Sequence, residues 1–191
     1  MLARIAIAAV LAASAATASA ADQLPDPAEG YLCCNMRTDG HWISDINYDA
    51  SGKHVIPAGT PVKATGFGRW RVLVEVDGVK EELGNDYSRD LDMTAFARRY
   101  VVAEDPTKKL ARAPAKVREA VKTARVTKGM TREQVLMAVG YPVSRSTPRL
   151  EADTWHFWLT SRGEFQVHFE GNVVKSITAE NEETRDKVVL K

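Results

Sequence analysis

The sequence predicts an α+β protein in which a small antiparallel β-barrel is followed by two helices laid on a three-stranded antiparallel sheet. Three observations lead there. Between residues 30 and 83, apolar and polar residues alternate in five short runs separated by turn residues, the mark of short antiparallel strands. Residues 129–142, GMTREQVLMAVGYP, hold the start, body and stop of a short helix. After Pro142 the period falls to two, with Trp155, Phe157 and Leu159 and then Phe165, Val167 and Phe169 at alternate positions.

Length and composition bound the answer. Residues 1–21 have one early cation, Arg4, an apolar run over 5–13 and small residues ending in Ala18-Ser19-Ala20. This is the layout of a cleaved secretory leader, and the run is too short and alanine-rich to predict a membrane span. Removing it takes away Arg4 and no acid, leaving 25 basic against 25 acidic side chains. A neutral chain is not expected to bind nucleic acid, whose partners carry a basic excess. The remaining residues suit one ordinary domain or two small ones. The division expected is a β domain over 22–104, a linker over 105–113, an ααβββ domain over 114–180 and a charged, frayed tail over 181–191.

In the first domain, strands are expected at 31–36, 41–46, 62–65, 69–76 and 79–83. Asp77-Gly78 is a two-residue hairpin signal between the last pair. Residues 85–90, NDYSRD, read either as a binding loop or as a turn whose Asn and Asp side chains bond their own backbone. A helix over 93–100 places Phe96 and Tyr100 on one stripe. The only cysteines, Cys33 and Cys34, are adjacent. Neighbours in an extended strand point to opposite faces, so a bond between them is not expected. One buried and one partly exposed thiol, or a dimer linked through Cys33 or Cys34, are the two readings.

In the second domain, Pro114 opens a helix reaching to about Thr127, with Val117, Ala120, Val121 and Ala124 on its apolar stripe. Lys116, Lys122 and Arg125 lie off that stripe and form a surface for anionic lipid head groups, or a plain solvated face. Thr131 and Gln134 have the spacing of a capping box, and Met130 with Val135 that of a hydrophobic staple. Gly140 closes the helix in a left-handed conformation and Pro142 prevents its resumption. With a three-residue loop at 161–163, Leu159 faces Phe165, Phe157 faces Val167 and Trp155 faces Phe169. The same register sets His156 opposite His168 and Trp158 opposite Gln166, on the side that the helices leave uncovered. An outward Trp158 is either packed by the first domain or offered to a partner. Two histidines across a hairpin lack an assured third ligand, so no metal is expected. A third strand is expected over 173–179, with a bulge near Val174.

The residues GMTREQV, then GYP, then Asp153-Thr154-Trp155, FQVHFEGNVV and Ile177 resemble, in order and spacing, the BamE-like (SmpA/OmlA) family. IPAGTPV followed by VDGVKEELGN is similar to bacterial SH3-like domains, which suggests that fold for the first half. The resemblance implies an exported, periplasmic, non-enzymatic adaptor that assists outer-membrane protein assembly or envelope integrity by binding an envelope protein or complex. The family's lipidated cysteine at the mature N-terminus has no counterpart here. Binding of cell-wall fragments or peptides through the first domain is the alternative. Inhibition, as in β-lactamase inhibitors of related fold, and a hydrolase using Cys33 or Cys34 with a histidine are lesser ones. His41, His54, His156 and His168 stand in no catalytic sequence context, so neither catalysis nor a cofactor is expected.

Overall fold

A computed structural model describes residues 24–191 of the chain; the leader lies outside them. Among the described residues, eleven strands form two sheets. Strands β1 (Glu29–Leu32), β2 (Met36–Thr38), β3 (Trp42–Ser44), β4 (His54–Ile56), β5 (Pro61–Gly68), β6 (Arg71–Val76), β7 (Val79–Gly84) and β8 (Val101–Val102) build an eight-stranded sheet in the order β4-β2-β3-β7-β6-β5-β1-β8. Strands β9 (Thr154–Thr160), β10 (Gly163–Glu170) and β11 (Val173–Ala179) build the second, with β10 central. Helices α1 (Met93–Tyr100), α2 (Ala115–Lys122), α3 (Arg132–Val139) and α4 (Glu182–Val188) are seven or eight residues long.

These facts overturn the expected fold class. The molecule is mainly β, with one large curled sheet and one small one, and is not a five-stranded SH3-like barrel joined to a two-helix domain. The strand expected over 31–36 is broken by a bend at residues 33–34, so β1 and β2 join different parts of the sheet. β3 pairs in parallel with β7, and β8, which follows α1, pairs with β1. Neither of these two pairings connects neighbours along the chain, and alternation within a strand does not reveal them.

The local elements follow their local chemistry. Val76 pairs with Val79 across Asp77 and Gly78, both with positive φ, as a primed two-residue turn requires. In α1, Asp92 accepts the Ala95 amide at the N-cap, and Phe96, Ala97 and Tyr100 are buried. Both halves of the capping box form at α3: the Thr131 hydroxyl accepts from the Gln134 amide, and the Gln134 side chain accepts from the Thr131 amide. Gly140 ends α3 with φ 84° and ψ −167°, a region essentially confined to glycine and distinct from the helical left-handed well expected from sequence. α2 ends a turn earlier than expected, because Ala124 takes φ 52° and turns the chain so that Val126 meets the C-terminal segment.

Two apolar cores result. One lies against the curled sheet and gathers Met36, Ile43, Val72, Leu83, Phe96 and Tyr100. The other lies between the small sheet and α2, α3 and α4, and gathers Val117, Val135, Met137, Trp155, Phe157 and Val167. The tail expected to fray contributes to it. Asn181 caps α4, Val188 is buried, and the segment beyond lies beside Val126, whose amide donates to Val188 O at 2.7 Å and whose carbonyl accepts from Leu190 N at 3.0 Å. The expected linker is also ordered: residues 106–112 form a 3₁₀ turn capped by Asp105, with Leu110 and Ala113 against the second core.

Two buried asparagines join the halves. Asn35 donates from Nδ2 to Val121 O (2.6 Å) and Ala138 O (3.0 Å), accepts the Ala58 amide, and donates its own amide to Met137 O. Asn47 bridges Asn35 O and Val139 O, both at 3.0 Å, and accepts the Arg37 amide. Both asparagines thus bond carbonyls at the ends of α2 and α3, where helical partners run out; Val121 O also accepts the Ala124 amide at 3.1 Å. Tyr100 meets Tyr141 edge-on at 5.6 Å across the same seam.

Candidate functional site

The outer face of the small sheet is built by β9 and β10. Trp155, Phe157, Leu159, Phe165, Val167 and Phe169 are buried on the inner side, while Thr154, His156, Trp158, Gln166 and His168 alternate with them and are half-buried. The inner and outer sets match the sequence reading, but the register does not. Phe165 pairs with Phe157, Val167 with Trp155, Gln166 with His156 and His168 with Thr154. The turn is two residues long, and a bulge between Gly163 and Glu164 absorbs one residue of β9. One turn residue fewer and one bulge residue more shift the pairing by two positions, which preserves the faces.

The shift changes the chemistry of the outer face. His156 and His168 no longer oppose each other. His156 Nδ1 lies 2.8 Å from Glu164 Oε1, to which Gln166 Nε2 also donates at 3.4 Å. His168 Nδ1 meets the Thr154 hydroxyl at 3.1 Å, and its Nε2 meets the Thr178 hydroxyl at 3.0 Å. A hydroxyl both donates and accepts, so either neutral tautomer of His168 is satisfied. Trp158 stands opposite Glu164 on the outer face and is half-buried there. Among the described residues, no three His, Cys, Asp or Glu side chains come together as a metal set.

The other residues singled out in the sequence disperse. Lys116 and Lys122 are exposed on α2, while Arg125 lies beyond its end, half-buried, where its charge helps hold the Asp186 carboxyl low after the larger effect of Lys191. Residues 85–90 form a structural turn. Asp86 pairs with Arg71 at 3.2 Å, Asp90 accepts from the Ser144 hydroxyl, and the Tyr87 and Ser88 amides both donate to Asp45 Oδ2 at 2.9 Å. Burial pushes the Asp45 carboxyl above the ordinary carboxylate range, against the pull of those amides.

A second site has no counterpart in the sequence reading. Cys33 and Cys34 are bonded to each other, and among the described residues no cysteine is free. This corrects the expectation of two thiols, and it leaves neither sulfur free for an interchain bridge. The alternation argument failed because the pair lies in a bend and not in a strand. Cys34 is fully buried, whereas Cys33 is half-buried and lines a cleft of about 270 Å³ along the seam. Val102, Leu136, Met137 and Tyr141 form the apolar walls. The rim carries Glu104, Asp105, Glu133 and Lys109, with Lys109 paired to Glu133 across it. The Thr107 hydroxyl and amide hold the Asp105 carboxyl low, and burial raises the Tyr141 hydroxyl. No histidine lines this cleft. Its walls come from three segments far apart in the chain, and the adjacent cysteines were the only sign of it in the sequence.

The arrangement defines a mainly β protein of two sheets, with a polar, tryptophan-bearing sheet face and a cleft beside a vicinal disulfide. Compared with family models, curated proteins and solved structures, the chain finds no match.

Proposed function

We propose that the chain is a non-enzymatic binding protein of the cell envelope, acting as an adaptor that assists outer-membrane protein assembly or envelope integrity. Its docking surface is the outer face of the small sheet, and its partner is an envelope protein or complex. One observation carries the reading: His156, Gln166 and His168 are held by hydrogen bonds on a face that also carries the half-buried Trp158. Side chains already fixed lose little rotamer freedom on docking, and an aromatic edge among them is the usual anchor of an interface. The exported character of residues 1–21 and the BamE-like resemblance of residues 129–177 support the compartment and the role.

The test is capture from detergent-solubilised envelope by wild type, Trp158→Ala and Gln166→Arg, with the captured proteins identified by mass spectrometry. Recovery of an outer-membrane assembly complex by wild type, reduced about tenfold in both variants, is the expected result. Equal recovery by all three chains would remove the sheet face from the reading.

A shallow concavity of about 490 Å³ favours a second reading, peptide or cell-wall binding by the curled sheet. His41, Thr65, Leu73, Glu75, Lys80 and Glu82 line it, and Leu73 is exposed. Loss of peptide or glycan binding in Leu73→Asp, with envelope capture intact, would select it.

A further inference from the structure

We propose that the cleft at the seam is a thiol-exchange site, in which a small neutral or cationic thiol attacks Cys33 and opens the Cys33–Cys34 bond. The inference is independent of the docking face. Access decides which sulfur reacts. Cys33 lines the cleft, whereas Cys34 has no exposed surface and its sulfur sits 3.9 Å from Met36 Sδ inside the first core. Exchange proceeds by in-line attack of a thiolate on one sulfur of the disulfide and needs that sulfur to be reachable.

The balance is simple. An incoming thiol gives up its proton, its sulfur bonds to Cys33 Sγ, the Cys33–Cys34 bond breaks, and the released Cys34 sulfur takes up a proton. Burial in apolar surroundings keeps a cysteine in the thiol form, which is the poor nucleophile, so the released Cys34 is slow to close the bond again. If the reagent is a dithiol, its second sulfur attacks the mixed disulfide and frees Cys33 as a thiol. The dithiol leaves as a cyclic disulfide, having delivered two electrons to the protein.

The rim selects the reagent. Glu104, Asp105 and Glu133 stand against one cation, Lys109, which is itself paired with Glu133. Glu104 is exposed. An anionic thiol approaches this mouth against repulsion and a cationic one with attraction, an effect that salt screens. The apolar walls from Val102, Leu136 and Tyr141 suit the carbon skeleton of the same molecule. Opening the bond also frees the chain next to Asn35, whose side chain ties the ends of α2 and α3 to the curled sheet. The amides of residues 121–125 and 137–140 therefore report on exchange.

The experiment treats the folded, full chain with cysteamine or with 3-mercaptopropionate, quenches with acid and maps adducts by peptide mass spectrometry. The expected adduct is on Cys33. It forms about tenfold faster with cysteamine at low salt, and the ratio narrows toward unity at about 1 M salt. Glu104→Lys, a change at an exposed side chain, should reduce or reverse the preference. Hydrogen exchange of residues 121–125 and 137–140 should quicken in the adduct and in Cys33→Ser/Cys34→Ser alike. An adduct on Cys34, equal rates for the two thiols at low salt, or no reaction until denaturant is added would overturn the proposal.

Discussion

In the small sheet each strand pairs with its neighbour along the chain, β9 with β10 and β10 with β11. In the curled sheet the β5-β6-β7 meander keeps that rule, but β3 runs parallel to the distant β7, and β1 sits between β5 and the still later β8. The two sheets show what a local pattern can and cannot specify. Hairpin pairing is set by alternation and turn chemistry within some twenty residues. Non-local pairing is set by which edges remain open once the local elements exist. The small sheet was accordingly legible as to its strands and faces; in the curled sheet β3, β5, β6 and β7 were legible as strands, but the pairings of β3 with β7 and of β1 with β8 were not.

Three substitutions sharpen that contrast. The largest effect is expected from Trp155→Ala. Trp155 is fully buried, packs edge-on against Phe169 at 4.8 Å and donates from its indole to Leu150 O at 3.1 Å. Truncation of a buried aromatic of this kind costs about 4 kcal/mol. If the local sheet is a cooperative unit of its own, urea unfolding followed by far-UV circular dichroism will become biphasic, with the curled sheet melting second. A single transition, shifted as a whole, would show that the two sheets unfold together despite their different wiring.

Asn35→Ala tests the seam directly. It leaves Ala138 O and the Ala58 amide without the Asn35 partner and takes one donor from Val121 O, which keeps the Ala124 amide. Unsatisfied buried groups of this sort cost roughly 1–3 kcal/mol each and are not fully additive, so a total loss of about 3 kcal/mol is expected. Asn35→Asp should do no better, since a carboxylate cannot donate to the two carbonyls. A loss below about 1 kcal/mol for Asn35→Ala would mean that apolar contact, and not this asparagine, couples the halves.

The smallest effect concerns the curled sheet and pH. Because the folded Asp45 holds its proton to higher pH than the unfolded chain does, the folded state binds more protons between the ordinary carboxylate value and the raised one. Stability therefore falls as pH rises through that window and levels off above it. Asp45→Asn keeps an oxygen for the Tyr87 and Ser88 amides and should flatten the fall. The exposed Asp39 and the half-buried Asp105, both held low by hydrogen bonds, act in the opposite direction. The difference between variant and wild type across pH isolates Asp45, and identical slopes would refute its role.

Particular residues show why the reading of the sequence succeeded and failed. Thr131, Gln134, Asp77 and Gly78 acted where expected because caps and tight turns depend on groups three or four residues apart. The inner and outer faces of β9 and β10 followed from alternation, yet the pairing of His156 did not, since a one-residue bulge is invisible in a period of two. The tail was misread from its charge: Thr184 and Val188, four residues apart on α4, are its buried positions, and a stripe that narrow gives little periodic signal. Of the candidate site residues, His156, Gln166 and His168 do share one face. The cleft residues Cys33, Val102, Leu136 and Tyr141 share no local pattern at all.

By itself the sequence determined the bounds of α1 and α3 and the start of α2, which residues of β9 and β10 face inward, and that Phe96 and Tyr100 would be buried together. These rest on hydrogen bonds and periodicities that close within a turn or a hairpin. The tertiary structure decided that the first half is one curled eight-stranded sheet, that the tail docks, and that Cys33 borders a cleft while Cys34 does not. Those outcomes depend on which distant surfaces meet, and burial drives apolar surfaces together without regard to their separation along the chain.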